Sequence, residues 1–143
     1  MEFVCQNRKA SFEYEVIERL ECGIVLKGSE IKSVRQHHVS LDGAYALVSN
    51  DNVDLIGCNI EHYSFSRIEE YEPKRVRRLL LNRKEIRNFA EKGTLKGFTL
   101  IPMSMYFVGG RLKVELAVCR GRHMFDKRKA IRDREEKKRL KKI

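Results

Sequence analysis

The feature that most constrains the fold is a pair of long apolar-rich runs, FTLIPMSMYFV and RLKVELAVCR, separated by Gly109–Gly110. In the second run apolar residues alternate with polar ones, a period of two that is typical of a half-buried β-strand. The two glycines permit the tight turn of a β-hairpin. Pro102 predicts an edge position or a bend in the first run, because proline cannot donate a ladder hydrogen bond. The sequence therefore predicts one long hairpin over residues 98–120.

Further strand signals precede this hairpin. In FEYEVIERLECGIVLK, residues 12–27, Phe12, Tyr14 and Val16 alternate with acids, which predicts two short strands meeting near residues 21–23. AYALVSNDNVDLIGCNI predicts a second hairpin, because its two apolar-rich runs flank SNDN, a cluster of turn-forming residues. The irregular, polar segment over residues 61–74 contains Pro73 and predicts a loop.

Two helices are expected among these strands. Ser29 is a candidate N-cap for a short helix that carries Ile31 and Val34. LLLNRKEIRNFAEKGTL predicts the one substantial helix, with Gly93 or Gly97 at its end. Its apolar face is expected to consist of Leu80, Leu81, Ile86, Phe89 and Ala90.

About six strands in short hairpins, with two or three helices, predict a mainly β fold. An OB-like antiparallel six-stranded barrel fits the 143 residues and is a common RNA-binding architecture. Residues 120–143 hold 12 Lys or Arg against 4 Asp or Glu, so they carry +8 of the net charge of +10. The chain therefore divides into a barrel over residues 1–120 and a basic C-terminal tail over residues 121–143. We expect this tail to be disordered when free and to order on a polyanion.

The sequence contains no recognisable targeting or membrane segment. Its start, MEFVCQNRKA, lacks the features of a signal peptide, and no apolar run approaches the ~20 residues of a membrane helix. The four cysteines are far apart and form no CxxC, and Cys22, Cys58 and Cys119 are expected to be buried thiols. These features predict a reduced, cytoplasmic protein without a membrane partner.

No convergent catalytic set is visible. The histidines have neither metal-ligand spacing nor an adjacent nucleophile, and GSEIKS lacks the glycines and the GK[ST] of a phosphate loop. Glu21 and Glu30 could form a carboxylate pair, but carboxylates near a basic surface more often orient arginines. We therefore expect no enzyme activity, no metal and no cofactor.

A basic segment inside the body predicts binding to a polyanion. PKRVRRLLLNRKEIR, residues 73–87, brings guanidinium and ammonium groups to the expected start of the main helix, around an apolar patch over residues 79–81. A solvated helix face is the alternative. Clustering of charge in two segments favours RNA or DNA binding over that alternative.

A series of motifs follows in fixed order: NRKA at 7–10 with Tyr14, ECGIVLKGSEIKSVR at 21–35, PKRVRRLLLNRKEI at 73–86, GFTLIPMSMYF at 97–107, GRLKVELAVCRG at 110–121 and FDKR at 125–128. Together these motifs resemble the small protein B family, the bacterial SsrA-binding proteins. The resemblance implies an OB-like barrel that binds the tRNA-like domain of transfer-messenger RNA (tmRNA). It also implies delivery of that RNA to stalled ribosomes, without catalysis.

The resemblance also implies where the partners bind. The RNA-binding positions of the family fall on Tyr14, Glu21, Leu80 and Lys113, with Asn7, Lys9 and Arg35 in addition. The ribosome-binding positions, which enter the decoding centre and the empty mRNA channel of the small subunit, fall on Gly121, Arg122, Phe125, Asp126, Lys127 and Arg128. Elongation factor Tu is implied as an indirect partner, reached through tmRNA. Phe125 stands where most relatives have Tyr or His; it can stack on a base but cannot donate a hydrogen bond.

Two other functions compete with this interpretation. One is a basic ribosomal protein with an OB-like body, which would be present in every small subunit rather than mainly on stalled ribosomes. The other is a small RNA-processing enzyme, for which an activity requiring Glu21 and Glu30 would have to exist. The ordered motifs favour the tmRNA-binding function over both.

Overall fold

The computed structural model describes residues 1–66, 70–93, 95–121 and 134. Within these residues the chain forms nine strands and three helices. In chain order they are β1 (Glu2–Gln6), α1 (Arg8–Glu13), β2 (Tyr14–Ile24), α2 (Gly28–Arg35), β3 (Val39–Ser40), β4 (Tyr45–Ser49), β5 (Asn52–Ile56), β6 (Asn59–Ile60), β7 (Arg77–Leu80), α3 (Arg83–Gly93), β8 (Phe98–Val108) and β9 (Arg111–Gly121).

Six of the strands close into a ring. Their order is β8-β4-β5-β7-β2-β9, and β9 pairs back with β8, every pairing being antiparallel. β1 adds to the far half of β8, and β3 pairs separately with β6. The prediction of a mainly β fold with few helices and a six-stranded antiparallel barrel is confirmed.

Both predicted hairpins are present. β8 and β9 join at Gly109 and Gly110, whose φ angles of 56° and 79° lie in the left-handed region. β4 and β5 join at Asn50 and Asp51, which also have positive φ. The register between β8 and β9 shifts just after Pro102, so the bend predicted from this proline is confirmed.

The prediction of two short strands over residues 12–27 is wrong. Phe12 belongs to α1, and a single 11-residue strand, β2, follows it. Helix α1 forms because the side-chain oxygen of Asn7 accepts a hydrogen bond from the backbone N–H of Ala10 at 3.1 Å. β2 remains continuous because β9 pairs along it from Tyr14 to Gly23, and a register shift after Val16 absorbs the bend.

The main helix begins later than predicted. Leu80 belongs to β7 and Leu81 precedes the helix, which begins at Arg83. A capping box over Asn82 and Glu85 sets this start: each side chain accepts a hydrogen bond from the other residue's backbone N–H, at 2.8 and 3.0 Å. Ile86 and Phe89 are buried as expected, and the helix ends at Gly93.

Helix α2 also begins at a different residue from the one predicted. Lys27, not Ser29, occupies the N-cap position of α2. The carboxylate of Glu30 accepts the Lys27 backbone N–H at 2.9 Å, so an acid from the first turn satisfies this end of the helix. Val34 is fully buried, as its place in the pattern predicts.

Apolar side chains fill the barrel, and a second, smaller core lies outside it. Helix α1 covers the outer face of β8 and β9 by packing Ala10 against Ile101, Met103, Ala117 and Cys119. Cys22, Cys58 and Cys119 are buried, as predicted. Burial raises the pKa of the Cys22 and Cys58 thiols to about 12 and that of Cys119 to about 11, so all three stay protonated at neutral pH.

A buried ion cluster ties α2 to β7 and to the segment before it. Arg77 donates from Nε and Nη2 to one carboxylate oxygen of Glu30, at 2.9 and 2.6 Å, and Arg75 donates to the other oxygen at 2.6 Å. Arg77 also donates to the carbonyl oxygens of Cys58 and Pro73. The expectation that Glu30 orients arginines is confirmed.

The cluster keeps Glu30 ionised although its side chain is fully buried. Burial alone favours the neutral acid, but hydrogen bonds from Arg75, the Lys27 backbone and Arg77 together hold the pKa of Glu30 below its usual value of 4.5. A group with a lowered folded-state pKa contributes stability above its unfolded pKa and loses it as the pH falls through the folded one. Glu30 therefore stabilises the fold at neutral pH and ceases to do so in acid.

Replacing Glu30 by glutamine tests this cluster. Glu30→Gln leaves the buried guanidinium group of Arg77 and the partly buried one of Arg75 without their carboxylate, so we expect the free energy of unfolding at neutral pH to fall by about 3–5 kcal/mol. The difference from the wild type should narrow as the pH falls below 4.5 and through the lower pKa of folded Glu30, because the wild-type carboxylate is then protonated as well. Urea unfolding over a pH series measures both effects.

The control is Glu72→Gln, which removes an exposed carboxylate from the segment before β7. Its effect should stay within about 0.5 kcal/mol. A Glu30→Gln protein as stable as the wild type at neutral pH, or a difference unaffected by acid, would contradict this account of the cluster.

Candidate nucleic-acid interface

A row of outward-facing residues crosses four strands of the barrel. Strand register pairs Leu80 of β7 with Gly23 of β2, Gly23 with Lys113 of β9, and Lys113 with Tyr106 of β8. The predicted RNA-binding residues Leu80 and Lys113 are therefore neighbours across a glycine, although 33 positions separate them in the sequence. Sequence patterns place each residue on a face but cannot show this juxtaposition.

Gly23 keeps the space between its two neighbours open. A Cβ at this position would lie 3.3 Å from the Cβ of Leu80, which is closer than most real contacts. Leu80 is 55% exposed despite being apolar. A groove of about 290 Å³ adjoins this row, with walls that include Leu80 and the core-packed side chains of Phe107 and Leu112, and with cations supplied by Arg111 and Lys113. We call this the β7–β9 groove.

Glu21 lies on the same face of β2, two residues before Gly23. It pairs in register with Glu115 of β9, and Arg19 forms an ion pair with Glu115. Burial and then a hydrogen bond to the Glu21 carboxylate raise the pKa of the Tyr106 hydroxyl above its usual value. Tyr106 therefore keeps its proton and holds the Glu21 carboxylate beside the β7–β9 groove.

Arg35 reaches the groove from α2. Its guanidinium carbon lies 4.5 Å from the centroid of the Phe107 ring, a cation–π contact, and Phe107 is one wall of the groove. The structure thus brings Glu21, Leu80, Lys113 and Arg35 to one region of the barrel surface.

The remaining predicted RNA-binding residues meet elsewhere, beside α1. Asn7, Lys9 and Tyr14 line a second pocket of about 200 Å³. Tyr14 and Glu21 lie on the same strand, seven residue steps or about 23 Å apart. The predicted residues therefore form two clusters toward opposite ends of β2.

Asn7 has a structural task within its cluster. It is only 3% exposed, and its side-chain amide donates to the carbonyl oxygens of Leu41 and Pro102 at 3.2 and 3.0 Å. Its side-chain oxygen caps α1. Asn7 therefore fixes where α1 sits, and through α1 the position of Lys9.

The sequence suggested that the basic segment over residues 73–87 presents its cations to solvent. The structure shows that it does not present all of them. Arg77 is fully buried against Glu30, and Arg75 pairs with the same carboxylate. Arg78 is exposed and lies 3.5 Å from Asp54 of β5. The reason is the alternation of β7, which points Arg77 and Leu79 inward and Arg78 and Leu80 outward.

The predicted ribosome-binding residues fall mostly outside the described part of the chain. Gly121 ends β9, and Arg122, Phe125, Asp126, Lys127 and Arg128 lie beyond it. The prediction of a tail that is disordered when free also concerns residues outside the described ranges. Arg134 is described; one of its guanidinium nitrogens lies 3.5 Å from the hydroxyl oxygen of Ser11 in α1.

Within residues 1–66, 70–93, 95–121 and 134, no group of three or more His, Cys, Asp or Glu side chains is placed to hold a metal ion. None of the helices in these ranges is long and apolar enough to cross a membrane.

The closed barrel, with an apolar and cation-lined groove beside the outward-facing Leu80 and Lys113, defines a small basic β-barrel binding protein. The chain belongs to the SmpB family, since the family described as "SmpB protein" matches residues 4–143. Curated relatives named SsrA-binding protein include one from Protochlamydia amoebophila, 43% identical over 94% of this chain and 88% of the relative. Another, from Chlamydia pneumoniae, is 46% identical over 94% of this chain and 89% of the relative.

A solved structure agrees with the fold. It is described as "tmRNA-SmpB: a journey to the center of the bacterial ribosome", and its matching chain is 36% identical in sequence. The TM-score is 0.71, and the match covers 90% of this chain and 94% of that one. The resemblance stated from the ordered motifs is confirmed at the level of the family.

The contact between Glu21 and Tyr106 can be tested without any ligand. Glu21→Gln removes the negative charge beside the phenol, so we expect the pKa of Tyr106 to fall toward its ordinary value of 10.0. Carbon-13 NMR of labelled tyrosine over an alkaline pH series measures the pKa, and Tyr106→Phe assigns the signal. Glu13→Gln serves as control, because Glu13 lies in the other cluster. An unchanged Tyr106 pKa in the Glu21→Gln protein would show that the two side chains do not interact.

Proposed function

We propose that this protein binds tmRNA through the outer face of its barrel and acts with it in trans-translation on stalled ribosomes. The observation that carries the proposal is the β7–β9 groove, in which strand pairing assembles Leu80, Gly23 and Lys113 in a member of the SmpB family. Family membership and the relatives' name, SsrA-binding protein, favour this function over a basic ribosomal protein.

The groove offers RNA both charge and an apolar surface. Lys113 and Arg111 supply cations for backbone phosphates, whose neutralisation releases counterions. Leu80 is exposed beside a glycine, so a ribose or an unstacked base can approach the sheet closely. Glu21, held by Tyr106, is positioned to accept a hydrogen bond from a ribose hydroxyl or a base amino group.

The second cluster extends the interface along β2. Lys9 is exposed on α1, and Tyr14 lies at the start of β2 in the same pocket. We assign Asn7 to this interface through the position it gives α1. Arg35 belongs to the first cluster, where the Phe107 ring fixes its guanidinium.

In this proposal the C-terminal residues bind the ribosome. The barrel over residues 1–120 recognises tmRNA, and residues 121–143 form a separate unit that enters the decoding centre and the empty mRNA channel of the small subunit. Gly121, Arg122, Phe125, Asp126, Lys127 and Arg128 make these contacts. Residues 120–143 carry a net charge of +8, which favours binding to a channel lined by rRNA phosphates. Phe125 contributes by stacking on an rRNA base.

A further partner is expected to bind the RNA rather than this protein. Elongation factor Tu is reached only indirectly, through tmRNA. The protein performs no catalysis and uses no cofactor in this proposal, and it works in the cytoplasm, where ribosomes translate.

Two sets of substitutions should separate the two tasks. Lys113→Ala removes one phosphate contact, so we expect weaker binding to the tRNA-like domain of tmRNA and a log–log salt slope reduced by about 1. Replacing Asp126, Lys127 and Arg128 together by alanine should leave this binding nearly unchanged but abolish tagging on stalled ribosomes. Filter binding and an in vitro tagging reaction measure the two effects.

The matched control for Lys113 is Lys96→Ala, which removes an exposed cation from the connection between α3 and β8. It should change neither the affinity nor the tagging. If the groove variant and the triple tail variant lose RNA binding equally, the proposed division between barrel and tail is wrong.

A further inference from the structure

The pocket beside α1 contains a second tyrosine that the sequence did not single out. Tyr45, the first residue of β4, lines it together with Tyr14, the first residue of β2. Tyr45 is 38% exposed and points out of the barrel, since the next residue, Ala46, is buried. Two aromatic side chains from different strands therefore border one open space of about 200 Å³.

The rest of the lining is amphipathic. Ala10 and Ile101, each buried in the small core under α1, form an apolar floor. Thr99 of β8 contributes a hydroxyl group, and α1 contributes the ammonium group of Lys9 and the carboxylate of Glu13. The pocket thus combines aromatic and apolar surface with one cation, one anion and the neutral polar side chains of Asn7 and Thr99.

We infer that this pocket, which we call the Tyr14–Tyr45 pocket, binds a single unstacked base of the RNA partner, with Tyr45 as a stacking residue. Aromatic side chains are the usual platform for bases taken out of a helix. Glu13 disfavours a phosphate inside the pocket but can accept a hydrogen bond from an exocyclic amino group. Lys9 can pair with the phosphate of the same nucleotide.

This inference rests on the proposed function, because the occupant comes from the RNA bound by the barrel. It adds a base-binding subsite toward the opposite end of β2 from Lys113 and Leu80. The two contact regions then lie along one strand, about 23 Å apart between Tyr14 and Glu21. A single RNA domain engaging both would be fixed in orientation as well as in position.

A tryptophan at position 45 gives a direct readout, because the natural chain contains none. In Tyr45→Trp the single indole should be quenched on titration with the tRNA-like domain of tmRNA, since stacking on a base quenches its fluorescence. The matched control is Leu47→Trp, on the same strand and face, where the native side chain is 52% exposed but does not line the pocket. Quenching at position 45 but not at position 47 is the expected result.

Affinity measurements test the same inference through a different quantity. Tyr45→Ala should raise the dissociation constant by about 5- to 150-fold, the range given by the loss of one base–aromatic stack. Its salt slope should equal that of the wild type, because no charge is removed. Tyr45→Phe keeps the ring and should stay within about threefold of the wild type. Far-UV circular dichroism verifies that each variant folds.

The outcomes separate the inference from the proposed function. If the wild type does not bind the tRNA-like domain selectively, the proposed function fails. If the wild type binds it selectively but Tyr45→Ala binds equally well, or if indoles at positions 45 and 47 respond alike, the base-binding pocket is wrong and the proposed function stands.

Discussion

The buried pairing of Glu30 with Arg77 sets the geometry on which the interface depends. Alternate side chains of a strand point to opposite faces, so burying Arg77 fixes the phase of β7. Arg78 and Leu80 must then face outward, and Leu80 meets Gly23 on the surface. A slip of one residue would turn Leu80 into the barrel and Arg77 out of it. The same cluster anchors α2, which carries Arg35 to the groove.

The cost of burying these charges is offset by near-complete hydrogen bonding. Both oxygens of Glu30 accept from guanidinium groups, and Arg77 finds two further carbonyl acceptors. The basic residues therefore have different roles. Arg77 and Arg75 organise the fold, whereas Lys113 and Arg111 are left on the surface beside the groove. The count of basic residues in a segment is thus a poor measure of what that segment offers to RNA.

Sequence patterns were sufficient for the long β8–β9 hairpin and the β4–β5 hairpin, because alternation and turn residues report local structure directly. They placed Lys113 correctly on the outward face of its strand. They failed at residues 12–13 and at Leu80, where the Asn7 cap and the Asn82–Glu85 capping box decide where helices begin. An Asn followed three residues later by Glu was the signal available at position 82.

Other parts of the site depend on contacts between distant strands. The importance of Gly23 appears only once its neighbours are known to be Leu80 and Lys113, and the burial of Arg77 only once Glu30 is found opposite it. Tyr45 looked like one apolar residue in a hairpin arm, because nothing in its local pattern refers to Tyr14. Such pairings are set by barrel closure, which single-sequence periodicity does not encode.

The most direct test of the central claim is a binding measurement on the purified full-length protein with the tRNA-like domain of tmRNA, with elongator tRNA as competitor over a salt series. If the outer face of the barrel recognises this RNA, binding will be tight and selective, will persist at elevated salt, and will survive removal of residues 121–143. Weak binding that elongator tRNA displaces equally well, and that disappears with salt and with the truncation, would contradict the account.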